Sequence, residues 1–588
     1  MLATSALARL RNRLLRRTLP VWYTTAYRLP LAGVAATSGF EPRRADYVAW
    51  WLLECGAIAP RNLRTPRRAS YEDLDRVHAL ELIDSLSRPE SLGRIFAVDP
   101  TDLPVDALVS MVLLACGGTM EAARQALEHG GATLNLLGGF HHAAPNAAGG
   151  FCPVDDVAVA LAALREEGFA GRTIVLDLDA HPPDGIAACL ERDGAAWVGS
   201  LSGSDWGPLE AVDETVLPAG TGDEVYLTAL AALLGRMPRP KLAFVIAGGD
   251  VLAGDRFGRL GLTLAGARRR DLEVARALAG APSVWLPAGG YHRDSWRVLA
   301  GTGMVLTLHS GAPVPRNYEP LAAHFASISS ELDEAALSET DFTCGDTEDA
   351  LGLVPRRRRQ PLFLRHYTAV GLEHMLYRYG VLDQLRRVGY QDCRAVLDET
   401  GTGDRLRVLG KPVGDARAEE QVLIELVAER RHSGPSEVLY VHWLSLRNPR
   451  SQFSSLRPAL PGQEVPGLGL AREIGEMLGL MAQRLELRGV VFRPAHFHTA
   501  YVARHNFSFI DAARQGRFEA LLRDLAPLPL LHATRAVCEG RVALNGAPYA
   551  WEPDEMALWL KPSPDEARGQ QVSRERERCR FEIAPGAA

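Results

Sequence analysis

Five short apolar runs constrain this chain more than any other feature: "ATLNLLGGF", "TIVLDLDAH", "AAWVGSLS", "KLAFVIAGGD" and "SVWLPAGGY". Each ends in glycine or polar residues, and helix-patterned stretches such as "VDDVAVALAALREEG" and "GARRRDLEVARALAG" separate them. A strand apolar on both faces must be covered on both faces, and helical crossovers supply that cover. The pattern therefore predicts an α/β domain with a parallel sheet flanked by helices. In such sheets ligands bind beyond the carboxyl ends of the strands, which is where these runs change from apolar to polar.

The alternation holds from about Val21 to Pro315, within a first domain placed at residues 21–330. An acidic, irregular stretch with the basic run Arg356 to Arg359 follows and reads as a linker over 331–360. A second α+β domain is expected over 361–562, then a polar, frayed tail over 563–588. Residues 1–20, "MLATSALARLRNRLLRRTLP", are basic, amphipathic and free of acids. They lack the continuous apolar core of a secretory signal. A transit peptide and a surface anchor are alternatives, and a short helix packed on the first domain is preferred. No later segment reads as apolar enough to span a membrane.

The formal net charge of −6 argues against a nucleic-acid partner. The eight cysteines are scattered singly without a C-x-x-C pair, which speaks against a cysteine zinc site or a disulfide scaffold and for a reducing cytoplasm.

The run "VLDLDAHPPDG" poses a chemical question. In an extended chain Asp177, Asp179 and His181 alternate and share one face. Burying two carboxylates and an imidazole together is costly without a cation. Asp179 and His181 suit one metal ion, and Asp250, after a strand and a Gly-Gly turn, is a third ligand, leaving a position for water and substrate. "GGFHHA" supplies His141 and His142 on an irregular turn as general base and acid, with Asp177 and Asp184 as their orienting carboxylates. Tyr291, after Gly289-Gly290, is placed to donate to an oxyanion. Together these are the groups of metal-assisted amide hydrolysis.

The motifs "GGFHHAAPNAAGGFCPVDDVAVA", "VLDLDAHPPDG", "AGGDVLAGDRFGRLGLT" and "AGGYH", in this order, resemble the zinc-dependent histone deacetylase superfamily with its arginase-like fold, most closely its class IV branch. The resemblance implies one zinc ion on Asp179, His181 and Asp250, His141 and His142 as the base and acid pair backed by Asp177 and Asp184, and Tyr291 as oxyanion donor. It also implies Gly150, Phe151 and Phe257 along the acyl channel, and a structural monovalent cation held in part by Asp177 and Ser200. The sequence departs from the family in His181-Pro182-Pro183, in Ser200-Leu201-Ser202, and in a channel loop replaced by "GSDWGPLEAVDE", where Trp206 is a substitute wall. A more open channel would admit acyl-lysine peptides or a smaller acylated amine. The altered loop also keeps open a non-catalytic acyl-binding or scaffolding protein.

The second domain reads as helix, four strands, a glycine-bearing loop before a helix, then strand, helix and strand. That order resembles the acyl-CoA-dependent N-acetyltransferase fold. The loop "GQEVPGLGLA" offers Gly467 and Gly469 to a pyrophosphate, although Glu464 stands where that family has Gln or Arg. A helix start that needs tight turns explains the glycines equally well. Acyl-CoA there would make the protein bifunctional. His496 and His498 are a minority candidate for a second metal site.

Overall fold

A computed structural model describes residues 6–31, 38–309, 314–338, 361–414, 417–433, 436–454, 458–561 and 566–583. The chain divides into two compact units, Met1–Ala323 and His324–Ala588. The basic run Arg356 to Arg359 lies outside the described residues.

The first unit is built on one eight-stranded sheet: β1 (Val21–Trp22), β2 (Leu63–Arg64), β3 (Ala132–Asn135), β4 (Thr173–Asp177), β5 (Ala196–Ser202), β6 (Val212–Val216), β7 (Leu242–Ile246) and β8 (Ser283–Leu286). Their spatial order is β2-β1-β3-β8-β7-β4-β5-β6, and every adjacent pair is parallel. β8 and β7 lie at the centre with β4 beside them, and all residues of the three are buried, as strands covered on both faces require. The helices Val105–His129 and Asp156–Glu166 pack on each other, as do Leu264–Ala277 and Ser295–Leu308.

Three details differ from the sequence reading. β4 ends at Asp177, so Asp179 and His181 do not continue the strand; Asp177 turns the chain by accepting from the Asp179 backbone N–H at 3.0 Å. The sheet also gains β1 and β2, two residues each, and β6, a half-exposed edge strand whose sequence VDETV carries no apolar run. Finally, the helix Val105–His129 is by length and composition able to cross a membrane, contrary to the expectation that no such segment exists. Its burial explains its apolarity: Leu108, Val112, Ala115, Ala122 and Ala126 are fully or almost fully covered.

In the second unit a seven-stranded mixed sheet runs β14-β17-β13-β12-β11-β10-β9, comprising β9 (Tyr390–Glu399), β10 (Asp404–Pro412), β11 (Gln421–Ser433), β12 (Ser436–Leu446), β13 (Gly489–Phe492), β14 (Ser508–Phe509) and β17 (Met556–Trp559). Only β12 and β13 pair in parallel; the other pairs are antiparallel. A smaller antiparallel sheet joins β15 (Val542–Leu544), β16 (Ala547–Tyr549) and β18 (Phe581–Ile583). Asn545 and Gly546, both at positive φ, close the β15–β16 hairpin.

The expectation of a frayed tail after Pro562 is overturned. Glu566–Arg578 is a helix, and the chain then forms β18 against β15. Val572, Cys579 and Phe581 are buried, and Gly516 lies so close to this helix that a Cβ there would be 2.6 Å from the Val572 carbonyl oxygen. The tail's polar composition reflects its outer face; a few apolar residues at the right spacing suffice to dock it.

Candidate active site

The sequence-predicted residues of the first unit converge at the carboxyl ends of β3, β4, β7 and β8. The turn after β3 is fixed first. Asp156, fully buried in the first turn of its helix, accepts from the backbone N–H groups of Gly139 (2.9 Å) and Phe140 (2.8 Å) and from the Thr119 hydroxyl (2.6 Å). With its backbone so held, the turn projects adjacent side chains to one place: the rings of His141 and His142 stand 4.0 Å apart. Each has its own carboxylate. His141 Nδ1 donates to Asp177 Oδ2 at 2.8 Å, and His142 Nδ1 donates to Asp184 Oδ1 at 2.6 Å. Pro182-Pro183 ends the segment after β4 and opens the helix Asp184–Leu190, which puts Asp184 in its first turn.

The two imidazoles are pushed in opposite directions. Burial lowers both. For His141 the charges of Asp177 and Asp179 outweigh burial and hold it up at about 9. For His142 burial, joined by the His141 charge, prevails over Asp184 and lowers it. The opposite shifts separate the two imidazoles, the pattern that distinguishes a base from its neighbour.

Asp179, His181 and Asp250 are the one group of three among the described residues whose ligand atoms lie within 4.8 Å of one another. His181 Nδ1 is 3.1 Å from Asp179 Oδ1 and 3.0 Å from Asp250 Oδ2. Backbone amides fix the outer carboxylate oxygens: Gly289 N–H donates to Asp179 Oδ2 at 2.8 Å and Ala180 N–H to Asp250 Oδ1 at 3.0 Å. Both carboxylates are fully buried. Burial and the Asp179 charge push Asp250 up to about 7, while the two carboxylates hold His181 up at about 11 against its own burial. The cluster calls for positive charge, and two carboxylates with one imidazole are a donor set that a divalent zinc ion fits. Gly248 and Gly289 leave it room: a Cβ at either would come within 2.8 Å of these carboxylate oxygens.

Tyr291 follows the Gly289-Gly290 turn after β8, its backbone N–H anchored on Asp255 Oδ2 at 2.7 Å. Burial raises its hydroxyl well above the ordinary range, with Asp179 adding to the effect, so it stays a donor. Its ring lies 5.1 Å from Phe151 and 4.8 Å from Phe257. A cleft lined by Gly150, Phe151, His142 and Tyr291 runs on to Phe96 and Met111. Phe151 is held at positive φ, and Gly150 closes on His142 so tightly that its Cβ would be 2.6 Å from the ring. Trp206, 53% exposed, stands at the rim 5.3 Å from His142 and 6.0 Å from His181, centroid to centroid. Ser200 pairs with Asp177 across β4 and β5, and its buried hydroxyl has no hydrogen-bond partner among the described residues.

Gly467 and Gly469 lie in the second unit, just before the helix Ala471–Arg484. Gly469 takes positive φ with no atom within 4 Å of its Cβ position, and Glu464 is paired with Arg447 at 2.9 Å. The rings of His496 and His498 stack at 5.4 Å, but no third ligand joins them among the described residues.

Sequence reasoning missed several supports. Asp156 was visible only as the second acid of "VDD". Asp255 looked like a loop residue, yet it accepts from Phe257, Gly258 and Tyr291. Arg44 is buried, donating to the carbonyls of Ala288 and Gly289 just behind the glycine turn. Arg270, one of three consecutive arginines in a helix-patterned stretch, is fully buried and donates to the Gly248 and Leu178 carbonyls. Arg268 is buried with it while Arg269 between them is exposed, and the sequence alone does not set that helical phase.

A family model for the histone deacetylase domain matches residues 38–302. An uncharacterized protein of Picosynechococcus sp. is 34% identical over 257 residues, 41% of this chain and 83% of the relative. Histone deacetylase 2 of Arabidopsis thaliana is 30% identical over 296 residues, 47% of this chain and 76% of the relative. A crystal structure of an HDAC homologue from Aquifex aeolicus aligns with 24% identity and a TM-score of 0.43, covering 51% of this chain and 86% of that one. Through its first unit, this chain belongs to the histone deacetylase family and is a hydrolase acting on amides.

Proposed function

We propose that the protein is a zinc-dependent deacylase that hydrolyses an acyl amide on a lysine peptide or a small amine. One observation carries the reading: two carboxylate-backed histidines, a carboxylate-rich cluster with one imidazole and a buried tyrosine line one aromatic cleft. When bound by Asp179, His181 and Asp250, zinc would supply Lewis-acid polarisation of the scissile carbonyl and acidify the attacking water. The chain's own residues do the rest. Gly150, Phe151 and Phe257 hold the acyl-bearing stem and exclude bulk water. His142, kept neutral by burial, accepts the proton from water, with Asp184 stabilising the imidazolium that results. His141, protonated against Asp177, places positive charge beside the developing oxyanion. Tyr291 donates its hydroxyl hydrogen to that oxyanion. His142 then returns its proton to the leaving amine. Asp177 and the unpartnered Ser200 hydroxyl suit a structural monovalent cation behind the site.

The replaced loop leaves Trp206 at the rim, an opening that favours acyl groups longer than acetyl or a slim amine carrier. The test is hydrolysis of acyl-lysine peptides and acylated polyamines graded by chain length, comparing zinc-loaded wild type with Tyr291→Phe and Asp250→Asn. Collapse in both variants supports the deacylase. No turnover by metal-loaded wild type on any substrate moves the reading to a non-catalytic acyl-binding protein.

For the second unit, the glycine loop at the start of a 14-residue helix, beside the parallel pair β12 and β13, supports an N-acetyltransferase-like fold that holds the pyrophosphate of acyl-CoA on Gly467 and Gly469. Calorimetric titration of the full chain with acetyl-CoA tests it, and an absence of heat refutes it.

A further inference from the structure

The helix Ala6–Leu15 is docked the wrong way round for a helix that adds to a core. Its inward contacts are polar: Asn12 Nδ2 donates to the Cys55 carbonyl at 2.8 Å, and just past the helix Arg16 donates to the carbonyls of Gly56 and Ile58 at 3.0 and 3.1 Å. Asn12 is the one buried residue of the helix. The leucines face out instead. Leu7, Leu10 and Leu14 are 80%, 55% and 76% exposed. At 100° per residue the spacing i, i+3, i+7 makes one stripe. Arg11 falls on one side of that stripe and Arg13 on the other, and Arg17 follows just past the helix, all exposed. No acidic residue occurs before Glu41, so the helix itself offers these arginines no counter-charge. Beyond it, Arg17 and Arg276 both act on His309, which extends the basic character past the helix.

We infer that this face binds the surface of an anionic phospholipid bilayer, the leucines entering the acyl boundary and the arginines meeting the headgroups. An apolar stripe flanked by arginines on a helix lying flat is what an interfacial helix requires. The charge selects the occupant: a bilayer carrying negative headgroups complements both the leucines and the arginines, while a second copy of the same face would oppose arginine to arginine. The polar inner contacts then fix the helix to the domain, so the enzyme is held at the membrane by its own surface.

Co-sedimentation of the full chain with phosphatidylcholine vesicles, with and without phosphatidylglycerol, tests this. Wild type sediments with the anionic vesicles only, and salt releases it. Leu7→Ser/Leu10→Ser/Leu14→Ser weakens binding by at least about tenfold. Arg11→Gln/Arg13→Gln/Arg17→Gln weakens it on the order of a hundredfold, at about 1 kcal/mol per arginine near the surface. Both variants alter exposed side chains, and an unchanged thermal melt confirms that each is folded. Three results overturn the inference: no sedimentation of wild type with anionic vesicles, equal sedimentation of folded variants and wild type, or a dimer in vesicle-free light scattering that the leucine variant abolishes.

Discussion

Gly185 controls the histidine pair without touching substrate, and Gly185→Ala isolates that control. A Cβ at this position would stand 2.4 Å from the His142 carbonyl carbon, 2.5 Å from the Ala143 nitrogen and 2.7 Å from the His141 carbonyl oxygen. Carbon atoms rest about 3.5–4.0 Å apart, so relief requires a displacement of about 1 Å. All three neighbours are backbone atoms and cannot rotate away, so the turn that carries His141 and His142 must move. Ile186 N–H, which donates to the His141 carbonyl at 3.1 Å, ties the same helix to that turn and leaves little slack. A misplacement of about 1 Å lowers turnover by about a hundredfold, and the overpacking itself costs about 1–3 kcal/mol. Asp179, His181 and Asp250 hang on other segments, so metal loading should survive. The assay pairs kcat on the best acyl-lysine peptide with zinc content by mass spectrometry and a thermal melt. A folded, zinc-replete G185A enzyme with kcat within threefold or so of wild type would refute the claim that turn position limits catalysis.

Three further outcomes are expected. Tyr291→Phe should lower kcat by about 10²–10³ with little change in KM, because its hydroxyl meets charge that develops only in the transition state; steady-state kinetics decide. Phe581→Ala should destabilise the second unit by about 3–5 kcal/mol, read as a lowered denaturation midpoint, since Phe581 is 5% exposed in that unit's core. His498 is lowered from 6.5 to about 4 by burial, with the His496 charge adding to it. The unfolded chain therefore takes up a proton that the folded one refuses: stability from this group is complete above pH 6.5 and falls as pH drops toward 4. Allowing for partial solvent exposure, the loss by pH 5 is about 1 kcal/mol, and His498→Gln should remove it from the pH dependence of urea denaturation.

What could be read from the sequence follows burial. β4, β7 and β8 are largely apolar and buried throughout because both their faces are covered, and they announced the sheet. β6 escaped because an edge strand half in solvent needs no apolar run, and β1 and β2 because two residues carry no period. At the site, the chemical groups were legible as residue types at strand ends, and the geometry brings all eight catalytic and metal candidates of the first unit together. Their supports were not legible. Asp156, Asp255, Arg44 and Arg270 act through backbone amides and carbonyls, most of them far away in sequence, and nothing local distinguishes a charged side chain that is buried for that purpose from one that faces water. The tail after Pro562 failed for the opposite reason: its average polarity concealed three buried residues.

That tail also sets a timetable. Phe581 and Val572 are part of the second unit's core, yet they are synthesised last within it. The first unit's final residue, Ala323, precedes Phe581 by roughly 260 residues, a lag of about 13–50 s at typical rates of chain elongation. Through that interval the deacetylase unit can already be folded, while the helix Ala512–Asp524 and strand β15 wait with their apolar faces uncovered. The nascent second unit, rather than the first, is where apolar surface stays uncovered longest during synthesis.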